Sequence, residues 1–278
     1  MIWTPDRMLL DGLVFRLQHH IRDDWDRGDD CFLFYKTRSL VEQYARFWTR
    51  RRDFHARRIL ELGLWDAGSM VFWSEYFQPE KHVGIDIQRK QNSRYFRAYL
   101  ASRGLADKMK TYWGTDQRDA QALRAIVTRE FSDPLDLIID DASHMYDLTK
   151  KSFETLFPLL RSGGLYVIED WAWGHWREFQ RPDHPWSKEV PLTRFIVELI
   201  EATGSSESGS AQGRLIESVT THQGFAVVER GSFGGPELRE FQLDGFISRR
   251  PDAGLPADAA TLRPSWMRSL VERWLNRG

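Results

Sequence analysis

The chain contains a single cysteine, Cys31, among its 278 residues. One thiol excludes an intramolecular disulfide and any zinc site built from several cysteines. The sequence also lacks an apolar run of the roughly 18–20 residues that span a bilayer, and its first residues lack the layout of a secretory signal. We therefore expect a cytoplasmic protein with no membrane partner.

An excess of charge of either sign is absent as well. Lysine and arginine number 39 against 40 aspartates and glutamates, so the formal net charge is −1. A nucleic-acid footprint covering the whole molecule would show as a basic excess, and we expect no nucleic-acid partner. Hydrophobic residues make up 41% and charged residues 28% of the chain, which excludes a disordered or fibrous protein and supports a sizeable core.

Tryptophan, by contrast, is plentiful, with 12 residues. Such a number indicates large packing surfaces or a pocket for a flat or sugar-like ligand. Several crowd one loop, at positions 171, 173, 176 and 186, where they would stack on a sugar or macrocycle or simply seal a site. On this compositional ground we also expect a homo-oligomer.

The spacing of hydrophobic residues divides the chain into three segments. Residues 1–56 form a predicted N-terminal helical arm for substrate or oligomer contacts, because leucines at 9, 13 and 17 and the stretch 40–48 recur at helical spacing. Within it, 22–30 is interpreted as a solvated polar connector. Residues 57–232 form the core, and 233–278 form a C-terminal extension with a last helix near 266–274.

In the core, short apolar runs alternate with helical patterns, which is typical of βαβ units on a parallel sheet. This order predicts an α/β fold with a doubly wound, seven-stranded, mostly parallel sheet that ends in an antiparallel hairpin. A predicted helix over 149–160 ends at Gly163-Gly164. The predicted strands cover 58–63, 83–87, 110–114, 135–141, 165–170, 215–221 and 225–229.

Ligands of such sheets bind beyond the carboxyl ends of the strands. The first strand ends at Gly63, and Gly68-Ser69 opens the next helix, whose N-terminus offers free N–H groups. Trp65 replaces a glycine of the dinucleotide fingerprint. Asp86 ends the second strand at close to the ~20-residue offset at which an acid meets a ribose hydroxyl. The pattern favours a ribose-bearing cofactor, and the alternative is an acid that caps a turn.

The next strand ends carry an acidic cluster. One predicted strand ends in Asp140-Asp141, with His144 three residues later, and the neighbouring predicted strand ends in Glu169-Asp170. Like charges this close repel, and a divalent cation relieves the conflict; oxygen ligands favour Mg²⁺. Imidazole titrates near neutral pH and suits general-base work on a hydroxyl. The alternative is that Asp141 or Ser143 caps the following helix, while Glu169-Asp170 lines a polar rim.

These residues resemble class I S-adenosylmethionine-dependent methyltransferases, and in particular the Mg²⁺-dependent macrolide-sugar O-methyltransferases and their rhamnosyl O-methyltransferase and cephalosporin hydroxylase relatives. The resemblance covers about residues 57–231. Its most specific part is an Asp-x-x-His sequence followed by Glu-Asp. It is carried by the segments 59–69, 84–86, 114–117, 140–144 and 168–170.

The resemblance implies a role for each matching residue. Asp141, Glu169 and Asp170 would bind the metal, and His144 would be the catalytic base. For the cofactor S-adenosylmethionine, Glu61, Gly63 and Asp86 would hold the methionine and ribose ends. Asp116 and Gln117 would lie near its adenine. The full cofactor set is Glu61, Gly63, Ser69, Asp86, Asp116, Gln117 and Asp140.

The implied activity is methyl transfer to a hydroxyl, expected on a sugar, of a natural product or glycosylated metabolite. Two alternatives stay open at this point. One is a relative that binds S-adenosylmethionine but performs a hydroxylase-like step or a rearrangement. The other is a non-catalytic binding subunit, against which the complete set of carboxylates and histidine argues.

Overall fold

A computed structural model describes residues 1–17, 31–205, 213–234 and 241–249. The chain divides into a unit of residues Met1–Ile247 and a unit of residues Ser248–Gly278, and nearly all described residues belong to the first. The connector predicted at 22–30 and the helix predicted near 266–274 lie outside the described residues. In the described parts, no helix combines the length and apolar character that crossing a membrane requires.

Eleven strands and six α-helices are found in the described parts of the chain. The N-terminal elements are β1 (Ile2–Trp3), β2 (Arg7–Leu10), β3 (Leu13–Leu17), β4 (Phe32–Phe34) and α1 (Arg38–Thr49). The following elements are β5 (Arg58–Leu62), α2 (Gly68–Phe77), β6 (Lys81–Asp86), α3 (Arg94–Arg103), β7 (Met109–Trp113), α4 (Ala120–Glu130), β8 (Leu135–Asp140), α5 (Tyr146–Leu156), β9 (Leu160–Glu169), α6 (Leu192–Ser205), β10 (Ile216–Thr221) and β11 (Phe225–Arg230).

The main sheet has seven strands in the order β10-β11-β9-β8-β5-β6-β7. Strands β5 to β9 are parallel, and β11 pairs antiparallel with both β9 and β10. The predicted fold class, a doubly wound and mostly parallel sheet with an antiparallel hairpin, is confirmed. Because β5 lies between β6 and β8, the strand order reverses beside it, and a crevice opens there at the carboxyl ends.

The predicted helical character of the first segment is wrong for its first part. Residues over which a helix was expected form β2 and β3, which pair with Leu10 opposite Leu13. Asp11 and Gly12 between them have φ of 49° and 82°, as a two-residue type I′ hairpin requires. The leucine spacing fits both a helix and a strand, and the Asp-Gly turn favours a hairpin of two strands. The helix expected over 40–48 is confirmed as α1.

The small N-terminal sheet packs against helix α2 through an aromatic cluster. Phe15 and Phe34 pack against Phe72, with ring centroids 6.3 and 5.0 Å apart. At the start of α2, a Cβ atom on Gly68 would lie 1.9 Å from the carbonyl oxygen of Leu33. The glycine therefore lets β4 approach the main sheet, and this contact positions the segment that follows β4.

The helix expected over 149–160 ends earlier than predicted. Helix α5 ends at Leu156, and Pro158 lies in a 3₁₀ turn over Phe157–Leu159. Proline lacks the N–H that a continued helix needs. Strand β9 starts at Leu160 and includes Gly163-Gly164, with a register shift against β8. The glycines are therefore an irregularity within a strand and not the end of the helix.

The close approach at Gly68 is testable by substitution. Because a methyl group has no room against main-chain atoms, we expect Gly68→Ala to lower the free energy of unfolding by about 1–3 kcal/mol in urea denaturation. Gly204→Ala in α6 is the matched control, since a Cβ there meets nothing within 4 Å and alanine favours helix. Equal stability of the Gly68→Ala variant and the wild type would contradict the packing described.

Candidate active site

A cavity of about 1120 Å³ opens beyond the carboxyl ends of β5, β6, β8 and β9. Its volume exceeds the usual range for one drug-sized ligand, so it has room for two small molecules. Glu61 and Asp140 of the predicted set are buried behind its wall. The other predicted site residues all line it: Gly63, Ser69, Asp86, Asp116, Gln117, Asp141, His144, Glu169 and Asp170.

The turn after β5 brings main chain directly to the cavity. Gly63 has φ of 85°, and a Cβ atom there would lie 2.0 Å from the carbonyl oxygen of Asp141. Trp65 and Ala67 also have positive φ, 52° and 62°. Non-glycine residues in this region carry backbone strain, which concentrates at functional sites. The turn thus holds β5 against the end of β8 and leaves room for a ligand beside Ser69.

Asp86 at the end of β6 holds this turn in place. One oxygen of its carboxylate accepts hydrogen bonds from the N–H groups of Leu64 and Trp65, at 2.8 and 2.9 Å. The other oxygen accepts one from Gln88 N–H at 2.7 Å. Bonds to an ionised acceptor are stronger than neutral ones. The structure therefore agrees with the alternative of an acid that caps a turn, and the contact of Asp86 with a ribose stays a prediction.

Glu61 and Asp140 are held by buried side chains. The Ser69 hydroxyl donates to Glu61, and Nε2 of His82 lies 3.4 Å from the other Glu61 oxygen. Asp140 accepts hydrogen bonds from Ser152 and Tyr166 at 2.6 and 2.8 Å. Burial raises the pKa of the Asp140 carboxyl. These contacts position the strand ends, and direct cofactor contacts of both acids stay predictions.

The predicted adenine side of the cavity is polar. The Arg118 guanidinium pairs with the Asp116 carboxylate at 2.6 Å, and its hydrogen bond lowers the pKa of that carboxyl. The Gln117 side-chain amide donates to the Ser152 hydroxyl at 3.4 Å. Both predicted residues line the cavity, and their contact with a purine stays a prediction.

Asp141, His144 and Asp170 converge at the other end of the cavity. Each offers one ligand atom, and these atoms lie within 4.8 Å of one another. Nε2 of His144 is 3.8 Å from Oδ1 of Asp141 and 4.0 Å from Oδ2 of Asp170. His144 and Asp170 have φ of 57° and 51°. Both backbones are therefore in the left-handed region, which turns these side chains into the same space.

The electrostatics of this end favour binding of a cation. Burial, the largest cause in each case, raises the pKa of the Asp141 and Asp170 carboxyls above the ordinary range of aspartic acid. The capping alternative for Asp141 finds no support, because α5 follows Met145 and has no side-chain cap bond. Oxygen and imidazole donors that converge in this way suit a hard divalent cation.

Glu169 takes a different position from its two acidic neighbours. Its side chain is 1% exposed and accepts hydrogen bonds from the Lys36 ammonium at 2.7 and 2.6 Å, one to each oxygen. The Tyr44 hydroxyl donates to Oε1 at 2.8 Å. Burial, and then the neighbouring Asp141 carboxylate, raises the pKa of Glu169 to about 7. Its role as a metal ligand stays a prediction.

Lys36 lines the same cavity, and sequence reasoning missed it. It follows β4, its side chain is 1% exposed, and its Nζ also lies 2.9 Å from Oδ2 of Asp141. Burial alone would lower its pKa, but Asp141 and Glu169 outweigh burial and raise it above its usual range. The surrounding Tyr35-Lys36-Thr37 carries no motif. Only the packing of β4 on α2 brings this lysine to the strand ends.

Part of the tryptophan-rich loop closes the cavity. The indole N–H of Trp173 donates to the carbonyl oxygen of His144 at 2.8 Å, and so fixes the strained backbone of the predicted base. Trp173 packs against Trp186 and Phe179. Trp176 also lines the cavity, whereas the Trp171 indole donates to the carbonyl oxygen of His222. The loop therefore supplies an aromatic wall of the cavity.

A family model described as a methyltransferase domain matches residues 60–171. Demethylmacrocin O-methyltransferase of Streptomyces fradiae is 28% identical over 79% of this chain and 54% of its own length. Mycinamicin VI 2''-O-methyltransferase of Micromonospora griseorubida is 30% identical over 68% of this chain and 49% of its own. The chain thus spans about half the length of these curated relatives.

The MycE methyltransferase from the mycinamycin pathway, in complex with Mg, SAH and mycinamycin VI, aligns with a TM-score of 0.51. The alignment is 28% identical and covers 71% of this chain and 50% of that one. The fold and the family match together show a methyltransferase domain, which the family model places at residues 60–171. Within that class, the chain is related to the macrolide-sugar O-methyltransferases.

The support that Asp86 gives to the cofactor turn can be measured. In Asp86→Asn the acceptor loses its charge, and an amide group must face a main-chain N–H. We expect the variant to bind S-adenosylmethionine about tenfold more weakly in calorimetry, since one charged hydrogen bond contributes roughly 1.5 kcal/mol or more.

Asp119→Asn is the matched control for this measurement. Asp119 caps α4 by accepting from Ala122 N–H, and asparagine caps a helix equally well. Unchanged cofactor affinity in the Asp86 variant would show that the turn does not depend on this carboxylate.

Proposed function

We propose that this protein transfers a methyl group from S-adenosylmethionine to a sugar hydroxyl of a glycosylated natural product, with the help of a divalent cation such as Mg²⁺. The observation that carries the proposal is the convergence of Asp141, His144 and Asp170 in the cavity that the Gly63 turn also lines. The relatives are O-methyltransferases named for demethylmacrocin, mycinamicin VI and a rhamnosyl tetracenomycin, and these names support this substrate class.

The cofactor half of the cavity fits S-adenosylmethionine by its main chain. Gly63 lets the β5 turn pack against the main chain of Asp141, and Ser69 at the start of α2 lines the cavity, where the first N–H groups of a helix are available to a ligand. Asp86, Asp116 and Gln117 line the far side at the places proposed for ribose and adenine. This half binds and orients the cofactor.

The metal half fits a divalent cation by its donors. Mg²⁺ is commonly held by one or two carboxylates together with water and substrate oxygens. Asp141 and Asp170 supply two carboxylates that face each other across His144. The raised pKa of both carboxyls reflects buried negative charge, which a cation would relieve.

The chemistry follows from these positions. The bound cofactor supplies an electrophilic methyl group, and a bound divalent cation makes a nearby hydroxyl more acidic. His144 accepts the hydroxyl proton at Nε2, and Trp173 holds its backbone by the bond to its carbonyl oxygen. Trp176 and Trp186, which line the cavity and are only partly buried, offer flat faces on which a sugar ring packs. The remaining contribution of the protein to the rate is to hold the cofactor and the hydroxyl in position for the transfer.

The test is a transfer assay. The protein is incubated with methyl-labelled S-adenosylmethionine, Mg²⁺ and a panel of glycosylated metabolites, and products are analysed by mass spectrometry. We expect label on a sugar hydroxyl and loss of that product in EDTA. Label that reaches only the aglycone would contradict the sugar assignment. A changed product without label would favour the alternative of a step other than methyl transfer, and a rate unaffected by EDTA would contradict the metal.

The base assignment has a matched pair of variants. We expect His144→Gln to lower product formation by at least about a hundredfold while cofactor affinity in calorimetry stays within about twofold, because the imidazole takes the proton but lies outside the cofactor half. His175→Gln is the control. His175 contacts Thr193 at 2.8 Å on the same loop region, outside the cavity lining, and its variant should keep wild-type turnover.

A further inference from the structure

A row of four buried polar side chains lies behind the wall of the cavity. It runs from Ser69 through Glu61 and His82 to Ser74, and all four residues are buried. Both serines belong to helix α2, whereas Glu61 lies on β5 and His82 on the neighbouring strand β6. The row therefore connects the first turn of α2, where Ser69 lines the cavity, to two strands of the main sheet.

The row is hydrogen-bonded at its two ends and open in the middle. The Ser69 hydroxyl donates to Oε1 of Glu61. At the other end, the Ser74 hydroxyl lies 2.9 Å from Nδ1 of His82. Nε2 of His82 and Oε2 of Glu61 are 3.4 Å apart, and neither atom has a hydrogen-bond partner among the residues that the structure describes. An unpaired buried polar atom is costly, and one N–H···O bond satisfies both.

The neighbours of His82 decide which of its ring nitrogens carries a proton. A lone pair on Nε2 would face the acceptor oxygen of Glu61, whereas an N–H group there donates to it. With a proton on Nε2, the ring accepts at Nδ1 from the Ser74 hydroxyl. Every donor of the row then points toward the Glu61 carboxylate.

The strand register explains why these side chains meet. Glu61 pairs with Gly84 of β6, and His82 precedes Gly84 by two residues, so its side chain lies on the same face of the sheet. A Cβ atom on Gly84 would lie 2.4 Å from Cδ2 of Leu64, which follows Gly63 in the β5 turn. The turn, the start of α2 and the polar row therefore share one face of the sheet.

We propose that His82 is a positioning residue for S-adenosylmethionine. Its Nε2–H group holds the Glu61 carboxylate, and Glu61 in turn holds Ser69 and the first turn of α2 against the cavity. Because the Ser69 proton is bound to Glu61, the Ser69 oxygen remains an acceptor, which suits the ammonium group at the methionine end of the cofactor. This role rests on the proposed function. His82 does not line the cavity and acts through Glu61.

The test compares three substitutions of His82 by calorimetric titration with S-adenosylmethionine. Glutamine carries an amide N–H about as far along the side chain as Nε2, asparagine only as far as Nδ1, and leucine carries none. We expect His82→Gln to bind the cofactor within about threefold of the wild type. His82→Asn and His82→Leu should bind it about tenfold more weakly. A glutamine variant as weak as the leucine variant would contradict the Nε2–H contact.

A Glu61→Gln background separates positioning from a purely structural role. If His82 acts through the Glu61 carboxylate, His82→Leu has little left to remove there, and we expect less than about a twofold further loss of affinity. Equal losses in both backgrounds, or no loss in either, would overturn the proposal. Urea denaturation reports the stability of each variant. Should His82→Leu fail to fold, the comparison of His82→Gln with His82→Asn in both backgrounds decides.

His222→Leu is the matched control. Nε2 of His222 is also buried without a hydrogen-bond partner in the described parts of the chain, but His222 lies between β10 and β11 and outside the cavity lining. Its variant should keep cofactor affinity within about twofold.

A second measurement needs no cofactor. In nitrogen NMR of the ligand-free protein we expect a proton on Nε2 of His82, and an Nε2 without a proton would overturn the proposal. The wild type separates the two hypotheses in the titration. A wild type that binds no S-adenosylmethionine would contradict the proposed function, whereas a wild type that binds it as tightly as His82→Leu does would contradict only the role of His82.

Discussion

The burial of several carboxylates at neighbouring strand ends is the constraint on which this site depends. Parallel strands β5, β8 and β9 direct their carboxyl ends to one edge, so the acids that end them meet whether or not they attract. Burial raises the pKa of Asp141, Glu169 and Asp170, and each raised value records the cost of keeping negative charge away from water. The Lys36 ammonium relieves part of this conflict, and the cavity side of the cluster is left with the charge that suits a cation.

The N-terminal segment completes this arrangement from outside the main sheet. The hairpin of β2 and β3 and the parallel strand β4 form a small sheet that packs its phenylalanines on α2. The chain then turns inward and brings Lys36 and, from α1, Tyr44 to the buried Glu169. The first segment is therefore part of the site itself. An aromatic stack of Tyr44 on Phe225, with centroids 4.0 Å apart, joins it to strand β11.

Strained backbone marks the places where the site needs a side chain aimed into the crevice. Trp65, Ala67, His144 and Asp170 all adopt positive φ without being glycine. Each is held by its surroundings: Asp86 accepts from Trp65 N–H, Ala67 N–H donates to the carbonyl of Leu64, Trp173 donates to the carbonyl of His144, and Asp170 N–H donates to the carbonyl of Gly224. Strained backbone persists only where surrounding contacts hold it in place. The tryptophan loop therefore affects the geometry of the proposed base as well as the wall of the cavity.

The sequence by itself determined the alternation of strands and helices, the mostly parallel sheet, and the set of polar residues at its carboxyl edge, because period and strand order are local properties of the chain. The prediction was wrong at β2 and β3, because leucine spacing fits both a helix and a strand and the Asp11-Gly12 turn favours a hairpin. It was also wrong at the end of α5, because Pro158 ends the helix before the glycines are reached. Only the tertiary structure decided that Glu169 pairs with Lys36, that Asp86 binds main-chain N–H groups, and that Trp173 holds His144. These contacts join residues that are distant in the chain, and packing, which no local pattern records, brings them together.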